Sequence, residues 1–239
     1  MKILVLQHAR IEHPGSFQQF SKMDNHKLMT IHLDEGEKLP TLDGFDALWV
    51  LGGPMDVWEE KKYSWLAQEK AIIRDAVKTR KMPFLGICLG HQLLAEALGG
   101  KCEKAEQPEV GIYQVQLTSA GIKDPIFKGI SEQFFCLQWH GAEVTKLPYG
   151  AAHLASSKYC SIQSIRWGKN AYSLQFHVEV EKDTVQNWAL IPEYSDALTI
   201  SLGKDGAKIL QKDCQKHMSE FNNIAQTIYK NWFVGVSAN

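Results

Sequence analysis

Pro83-Phe84-Leu85-Gly86-Ile87-Cys88-Leu89-Gly90-His91-Gln92-Leu93-Leu94-Ala95-Glu96-Ala97-Leu98-Gly99 is the stretch on which the fold turns. Pro83 to Ile87 is an apolar run of strand length, and Leu89 to Leu98 reads as a helix closed by Gly99, a residue suited to the left-handed C′ position. Between them, Gly86-Ile87-Cys88-Leu89-Gly90 sets a cysteine between two glycines with the spacing of the G-x-S-x-G nucleophile elbow. A side chain held at so sharp a turn sits on strained backbone, and the residues two before and two after it must be small for the neighbouring chain to pass. The turn also brings the sulfur to a helix N-terminus, where free N–H groups and the helix dipole favour thiolate over thiol. Taken alone, five residues also allow a bland packing explanation, so the rest of the chain must decide.

Outward from this unit the alternation of strand and helix repeats. Lys2 to Leu6 reads as a short buried strand, Ser16 to Met23 as a weak helix and Leu28 to Leu33 as a second strand. Asp46 to Leu51 is a third apolar run, ending at Gly52-Gly53-Pro54, and Trp65 to Thr79 carries Leu66, Ile73 and Val77 at helical spacing. Strands apolar on both faces and separated by helices predict an α/β fold: a doubly wound, mostly parallel central sheet flanked by helices. From Gly111 to Val180 the period changes to two, in Tyr113/Val115/Leu117, Phe135/Leu137, Ile162 to Trp167 and Ala171 to Val180, which predicts a smaller antiparallel or mixed strand region. After Pro192, apolar residues from Ala207 to Ile228 predict one long or two short amphipathic helices, a C-terminal extension whose stripe serves as core or subunit interface. With no linker-like tract or charge block, the chain reads as one domain over residues 1–239, its motif-bearing core about 1–190 and its extension about 192–239.

Composition narrows the partners. The 239 residues are 44% hydrophobic and 22% charged with a formal net charge of -1, the proportions of a globular protein and not of a disordered or fibrous one. The charges are scattered, so no basic stripe is present to neutralise a phosphate backbone, and nucleic acid is not an expected partner. The apolar run Ile3 to Leu6 is too short for a signal-peptide core, and nothing approaches the roughly 18 apolar residues of a membrane span. A cytoplasmic protein without membrane association is therefore expected. Cys88, Cys102, Cys136, Cys160 and Cys214 form no C-x-x-C pair, so reduced thiols are expected, and all but Cys88 read as small buried apolar residues.

A candidate base lies near the end of the period-two region. In Ala171 to Glu179, Tyr172, Leu174, Phe176 and Val178 alternate with Ser173, Gln175, His177 and Glu179, so His177 and Glu179 project the same way. Their Cα atoms would lie about 6.5–7 Å apart on a strand, within reach of a glutamate bonding an imidazole nitrogen. Such a carboxylate fixes the tautomer and stabilises the imidazolium formed when histidine takes the proton of a thiol nucleophile. The competing reading is a solvated strand-edge pair of little energetic value.

With Gly52-Gly53-Pro54, Gly86-Ile87-Cys88-Leu89-Gly90-His91-Gln92 and Phe176-His177-Val178-Glu179 in that order, the sequence resembles the class I glutamine amidotransferase family, whose signatures are G-G-P, G-x-C-x-G-x-Q and H-P-E. The resemblance implies a doubly wound sheet with the cysteine at its elbow. It implies a triad in which Cys88 attacks the side-chain amide of glutamine, a γ-glutamyl thioester forms, ammonia leaves with a proton from His177 oriented by Glu179, and water releases glutamate. The backbone N–H groups of Gly53 and Leu89 match the oxyanion hole that acyl transfer requires. Gln92 matches the family residue that contacts substrate. Gln138-Trp139-His140-Gly141 resembles the loop that holds the α-amino and α-carboxylate groups, which makes Trp139, His140 and Gly141 expected substrate-binding residues; a structural histidine at a strand end is the other reading of His140. His91 matches a non-catalytic position and is expected to pack. No metal and no cofactor is expected.

Two departures bear on partners and recognition more than on chemistry. Val178 stands where the family has proline, and Ala142-Glu143 follows His140-Gly141 where related synthetase domains carry an acidic residue directly after H-G. The chain contains no G-x-x-x-x-G-K-[ST] for ATP. Three functions remain open: a glutaminase that feeds a separate ammonia-accepting synthetase, a free-standing γ-glutamyl peptidase or hydrolase using water alone, and an inactive binding or regulatory module. The third is disfavoured because Cys88, His177 and Glu179 are all present. A cysteine hydrolase of other specificity on the same fold is disfavoured by the H-x-E pair.

Overall fold

The computed structural model describes residues 1–237. Five short strands, β1 (Lys2–Gln7), β2 (Lys27–His32), β3 (Ala47–Val50), β4 (Phe84–Ile87) and β9 (Ala171–Leu174), run parallel in the order β2-β1-β3-β4-β9. Antiparallel strands β8 (Ser164–Trp167), β7 (Ala151–Ser157), β5 (Lys101–Leu117) and β6 (Gln133–Lys146) extend the sheet to nine. Apart from the edge strand β2, the parallel strands are buried on both faces, and alternate residues enter two separate cores. Ile3 and Val5 of β1, Trp49 of β3 and Leu85 of β4 face one side, while Leu4, Leu6, Leu48, Val50 and Phe84 face the other. This is the near-continuous apolar strand that a sheet covered by helices on both faces requires.

Helix α1 (Ser16–Met23) and the long α7 (Gly206–Ser237) cover the first face through Phe17, Ile224, Ile228, Tyr229 and Trp232. Helix α2 (Trp65–Arg74), continued by a π-helical turn over Asp75–Thr79, and α3 (Leu89–Ala97) cover the second. A short α4 (Ser119–Lys123) packs on β7. Helices α5 (Thr184–Trp188) and α6 (Pro192–Leu202) form a third apolar cluster with Leu137 and Trp139 of β6 and Leu210, Cys214 and Phe221 of α7. Among the described residues no helix is long and apolar enough to cross a membrane.

One sequence expectation needs correction. The alternating stretch Ala171 to Val180 is not one strand: β9 ends at Leu174, and the chain then crosses to β6, where His177 exchanges backbone hydrogen bonds of 2.8 and 3.1 Å with Leu137. Both sides of the crossing are packed, with Phe176 and Val178 in one core and Gln175 and His177 equally buried, so alternation persists without a continuing ladder. The apolar stripe of the C-terminal helical extension serves as core, one of the two roles expected of it. Trp232 lies edge-on to Trp49 at 5.7 Å and donates from Nε1 to the Phe84 carbonyl of β4 at 3.2 Å, so α7 completes the core of the parallel sheet itself.

Candidate active site

Cys88 stands at the carboxyl end of β4, where α3 begins, with φ 52° and ψ −104°. That left-handed conformation is costly for a side chain and persists only where the surroundings impose it. Here the constraints are visible: Cys88 N–H donates to the Leu174 carbonyl of β9 at 2.8 Å, and Gly90 N–H donates to the Leu51 carbonyl at 3.1 Å. A Cβ on Gly86 would lie 2.4 Å from the Gly90 oxygen, and one on Gly90 would lie 2.1 Å from the Val50 oxygen. Both flanking glycines are therefore required by the close passage of backbone, as the elbow reading predicts.

His177 and Glu179 are brought to this cysteine by the crossing segment after β9. His177 Nδ1 lies 2.6 Å from Glu179 Oε1, Glu179 Oε2 accepts from the Val178 N–H at 2.9 Å, and the Cys88 side chain is close enough to the His177 ring to act on its charge. Cys88, His177 and Glu179 are 5, 1 and 6% exposed, which excludes the solvated-pair reading. Burial opposes the charged imidazole, but the Glu179 carboxylate and the Cys88 sulfur raise the His177 pKa well above the usual value. The imidazole thus stands between a sulfur and a carboxylate, an arrangement that favours its charged form. Trp188 of α5 packs edge-on against the ring at 4.7 Å and fixes its plane.

Gly53 and Leu89 flank the sulfur in the same cavity. Leu89 opens α3, so its N–H has no intrahelical acceptor. The Gly52 carbonyl accepts from His8 Nδ1 at 2.9 Å, and in a trans peptide this directs the Gly53 N–H the opposite way. His8 in turn meets Glu69 through Nε2 at 2.9 Å; although burial opposes its charge, the carboxylate and the carbonyl raise its pKa above the usual histidine value. His8 and Glu69 are buried at 1% and 0% exposure, and no sequence signature singled them out.

The cavity over Cys88 has a volume of about 390 Å³. Its inner wall includes Gln92, Trp139, His140 and Gly141, and its outer wall is α6, through Glu193, Tyr194, Ala197 and Ile200. Gln92 is less free than its motif suggests: its amide nitrogen donates to the Ala142 carbonyl at 3.2 Å and to Gln175 Oε1 at 3.1 Å, and Gln175 Nε2 in turn reaches Cys88 Sγ at 3.6 Å. His140 uses both nitrogens within the protein, Nδ1 on the Ala142 carbonyl at 2.9 Å and Nε2 on Glu109 at 3.2 Å, and presents only its ring to the cavity. His91 is a packing residue: it is fully buried between Ser173 and the Ile162 carbonyl, and burial lowers its pKa to about 3.

Glu109, His140 and Cys160 offer ligand atoms within 4.8 Å of one another, a possible grouping for a metal ion. Their polar atoms are already engaged, however: Glu109 accepts from Ser157 at 2.7 Å and Gln163 at 2.8 Å as well as from His140. A hydrogen-bonded network accounts for this cluster. The remaining cysteines are buried free thiols, and burial pushes the pKa of Cys102, Cys136, Cys160 and Cys214 up.

One residue near Cys88 matches no motif. Glu12, in the loop after β1, is 3% exposed and accepts from the Tyr194 hydroxyl of α6, and its other oxygen abuts Gly52. Its one sequence signal is its place in the loop that follows a buried parallel strand, where α/β sheets gather their functional groups.

The class-I glutamine amidotransferase family profile matches residues 18–190. The glutamine amidotransferase-like protein YfeJ of Salmonella typhimurium is 31% identical over 208 residues, covering 85% of each chain. A glutamine-hydrolyzing GMP synthase subunit of Sulfolobus acidocaldarius is 33% identical over 155 residues, 64% of this chain and 78% of that one. The crystal structure of a glutamine amidotransferase from Thermotoga maritima superposes with a TM-score of 0.86 at 28% identity, covering 97% of both chains.

Proposed function

Because the chain belongs to the class-I glutamine amidotransferase family, we propose that it is a cysteine amidase that hydrolyses the side-chain amide of glutamine or of a γ-glutamyl compound. The observation that carries this is the nearness of Cys88 to His177, itself hydrogen-bonded to Glu179, beside a cavity that Gly53 and Leu89 also line. The Cys88 sulfur attacks the amide carbon, forming a C–S bond, while its proton resides on His177. The carbonyl oxygen, now negative, takes the N–H groups of Gly53 and Leu89, two fixed donors that act most strongly when charge has developed. His177 passes its proton to the amide nitrogen as the C–N bond breaks and the amine leaves. Water then gives a proton to His177 and attacks the thioester, and glutamate departs as the sulfur is released. Glu179 keeps the imidazole in the required tautomer throughout.

Two settings for this chemistry each have support. Likeness to a glutamine-hydrolyzing GMP synthase subunit favours a chain that supplies ammonia to a separate synthetase. The cavity favours direct hydrolysis of a γ-glutamyl compound whose amine is larger than ammonia. Ile200, on the α6 wall, is 84% exposed, an apolar side chain at the mouth of the cavity with room for an organic leaving group. We favour the second. The test is to react the purified chain with a glutamine-mimicking electrophile, map the adduct, and assay glutamine beside a panel of γ-glutamyl amides. An adduct on Cys88 with turnover of γ-glutamyl amides by the chain alone is expected. Turnover of glutamine only after a synthetase is added selects the first setting, and full activity in Cys88→Ala removes the mechanism.

A further inference from the structure

We propose that Glu12 is a positioning residue of the reaction centre: wedged between Gly52 and α6, it fixes the Gly52–Gly53 loop beside Cys88 and sets a second carboxylate within electrostatic reach of His177. This rests on the assignment of Cys88 and His177 as nucleophile and base. Two contacts define the wedge. One oxygen of Glu12 accepts from the Tyr194 hydroxyl of α6, and the other occupies the space beside Gly52, where a Cβ would come within 2.1 Å of it. That same Cβ would be 3.6 Å from the Cβ of Cys88, so the carboxylate and the nucleophile share the Gly52 α-carbon as a spacer. The first glycine of Gly52-Gly53-Pro54 is thus the residue that admits Glu12.

The surroundings decide what this carboxyl does. From the end of β1 it lies within electrostatic reach of His8, itself paired with Glu69, and from the crossing segment within reach of His177 and Glu179; from α6 it accepts from the Tyr194 hydroxyl. Within its own loop, Arg10 and His13 are directed away, toward Glu35 and Glu181. Burial is the largest influence and raises the Glu12 pKa; His177 and His8 pull it down, Glu179 pushes it up, and it comes to about 7. When ionised, Glu12 adds negative potential at His177 and favours the imidazolium; when protonated, it withdraws that support. The loop is anchored at both sides, since Trp188 Nε1 donates to the Ile11 carbonyl at 3.1 Å and Ser16 N–H donates to the Glu179 carbonyl at 2.7 Å. Helices α5 and α6, which shape the base and the cavity wall, therefore bear on the same carboxyl.

The test compares the full chain with Glu12→Gln, Glu12→Ala and Tyr194→Phe. It uses pH profiles of kcat on glutamine and γ-glutamyl p-nitroanilide, and the pH dependence of Cys88 alkylation by iodoacetamide, which needs no turnover. The parent profile should carry an inflection near pH 7 that Glu12→Gln abolishes, while the limb at which His177 loses its proton moves to lower pH. Glu12→Ala, which also empties the wedge, should lower kcat by on the order of tenfold to a hundredfold, with Glu12→Gln restoring most of it. Tyr194→Phe removes a donor to the carboxylate and should move the inflection upward. Profiles of turnover and alkylation that superimpose for the parent and Glu12→Gln overturn the proposal, whether or not Glu12→Ala folds. If no γ-glutamyl substrate turns over but the alkylation inflection is present and lost in Glu12→Gln, Glu12 retains its role and the amidase reading fails instead.

Discussion

Replacing Glu69 by glutamine tests how the Gly53 N–H, the proposed oxyanion donor, is held. Glu69 does not line the cavity; it acts on His8, whose Nδ1 holds the Gly52 carbonyl and so aims the Gly53 N–H. Glu69→Gln keeps an acceptor at Nε2 but removes the charge that sustains the imidazolium. Complete loss of one oxyanion donor costs about 2.7–4 kcal/mol of transition-state stabilisation. A ring that remains in place but is held more weakly should lose about 1.4 kcal/mol, or tenfold in kcat, with KM little changed. Stability supplies a second readout. A hydrogen bond involving a charged group contributes about 1.5–3 kcal/mol and a neutral one about 0.5–1.5, so the variant should be less stable by about 1 kcal/mol. The sign of its pH dependence follows from the raised His8 pKa: the folded state holds this proton more tightly than the unfolded chain, so the contribution is fully present below pH 6.5 and is lost as pH rises through the folded-state value. Urea unfolding of parent and variant across pH 5 to 9 should show a gap widest at the acid end and closing upward. Equal kcat within twofold, together with a gap that does not depend on pH, would show that the His8–Glu69 pair neither aims the Gly53 N–H nor carries charge.

Other substitutions test separate parts of the argument. Cys88→Ala should abolish turnover and leave the unfolding midpoint close to the parent's, whereas Glu179→Ala should retain measurable turnover because an orienting group contributes less than the nucleophile. Gly90→Ala would drive a methyl to within 2.1 Å of the Val50 oxygen, so it should destabilise the fold by about 1–3 kcal/mol and reduce the fraction of Cys88 that alkylates rapidly. Trp232→Ala should cost about 3–5 kcal/mol in denaturant unfolding, the loss of a large core side chain; a cost under 1 kcal/mol would mean that α7 is dispensable.

The elbow, the parallel strands and the His177–Glu179 pair were legible because each rests on local pattern: glycines two residues either side of a cysteine, apolar runs bounded by turns, and a strict alternation of side chains. What escaped the sequence rests on long-range packing. The first part of β5, with Lys101, Glu103, Lys104 and Pro108, pairs with β6 through a register shift between Lys104 and Glu109, and six of its first eight residues are exposed, so it has no apolar face to betray it. The length of the strand through His177 was overestimated because alternation records only which side is packed, and here both sides are. Gln92 and His140 line the cavity, as their motif positions predict, while their hydrogen bonds to Ala142, Gln175 and Glu109 are ones no spacing rule connects to them. Glu12, His8, Glu69 and Tyr194 meet across 61 to 182 residues of chain, distances at which periodicity carries no information.

Helix α7 also sets an order of events during synthesis. The face of β1, β3 and β4 that it covers is complete as soon as Leu174 has emerged, yet the side chains that seal it, Tyr229 and Trp232 among them, belong to the final helix. At about 5–20 residues per second, translation from Leu174 to the end of α7 leaves that apolar surface bare for on the order of 3–13 s. Nascent chains halted between these points should be held by chaperones, and those extended past Trp232 should be released.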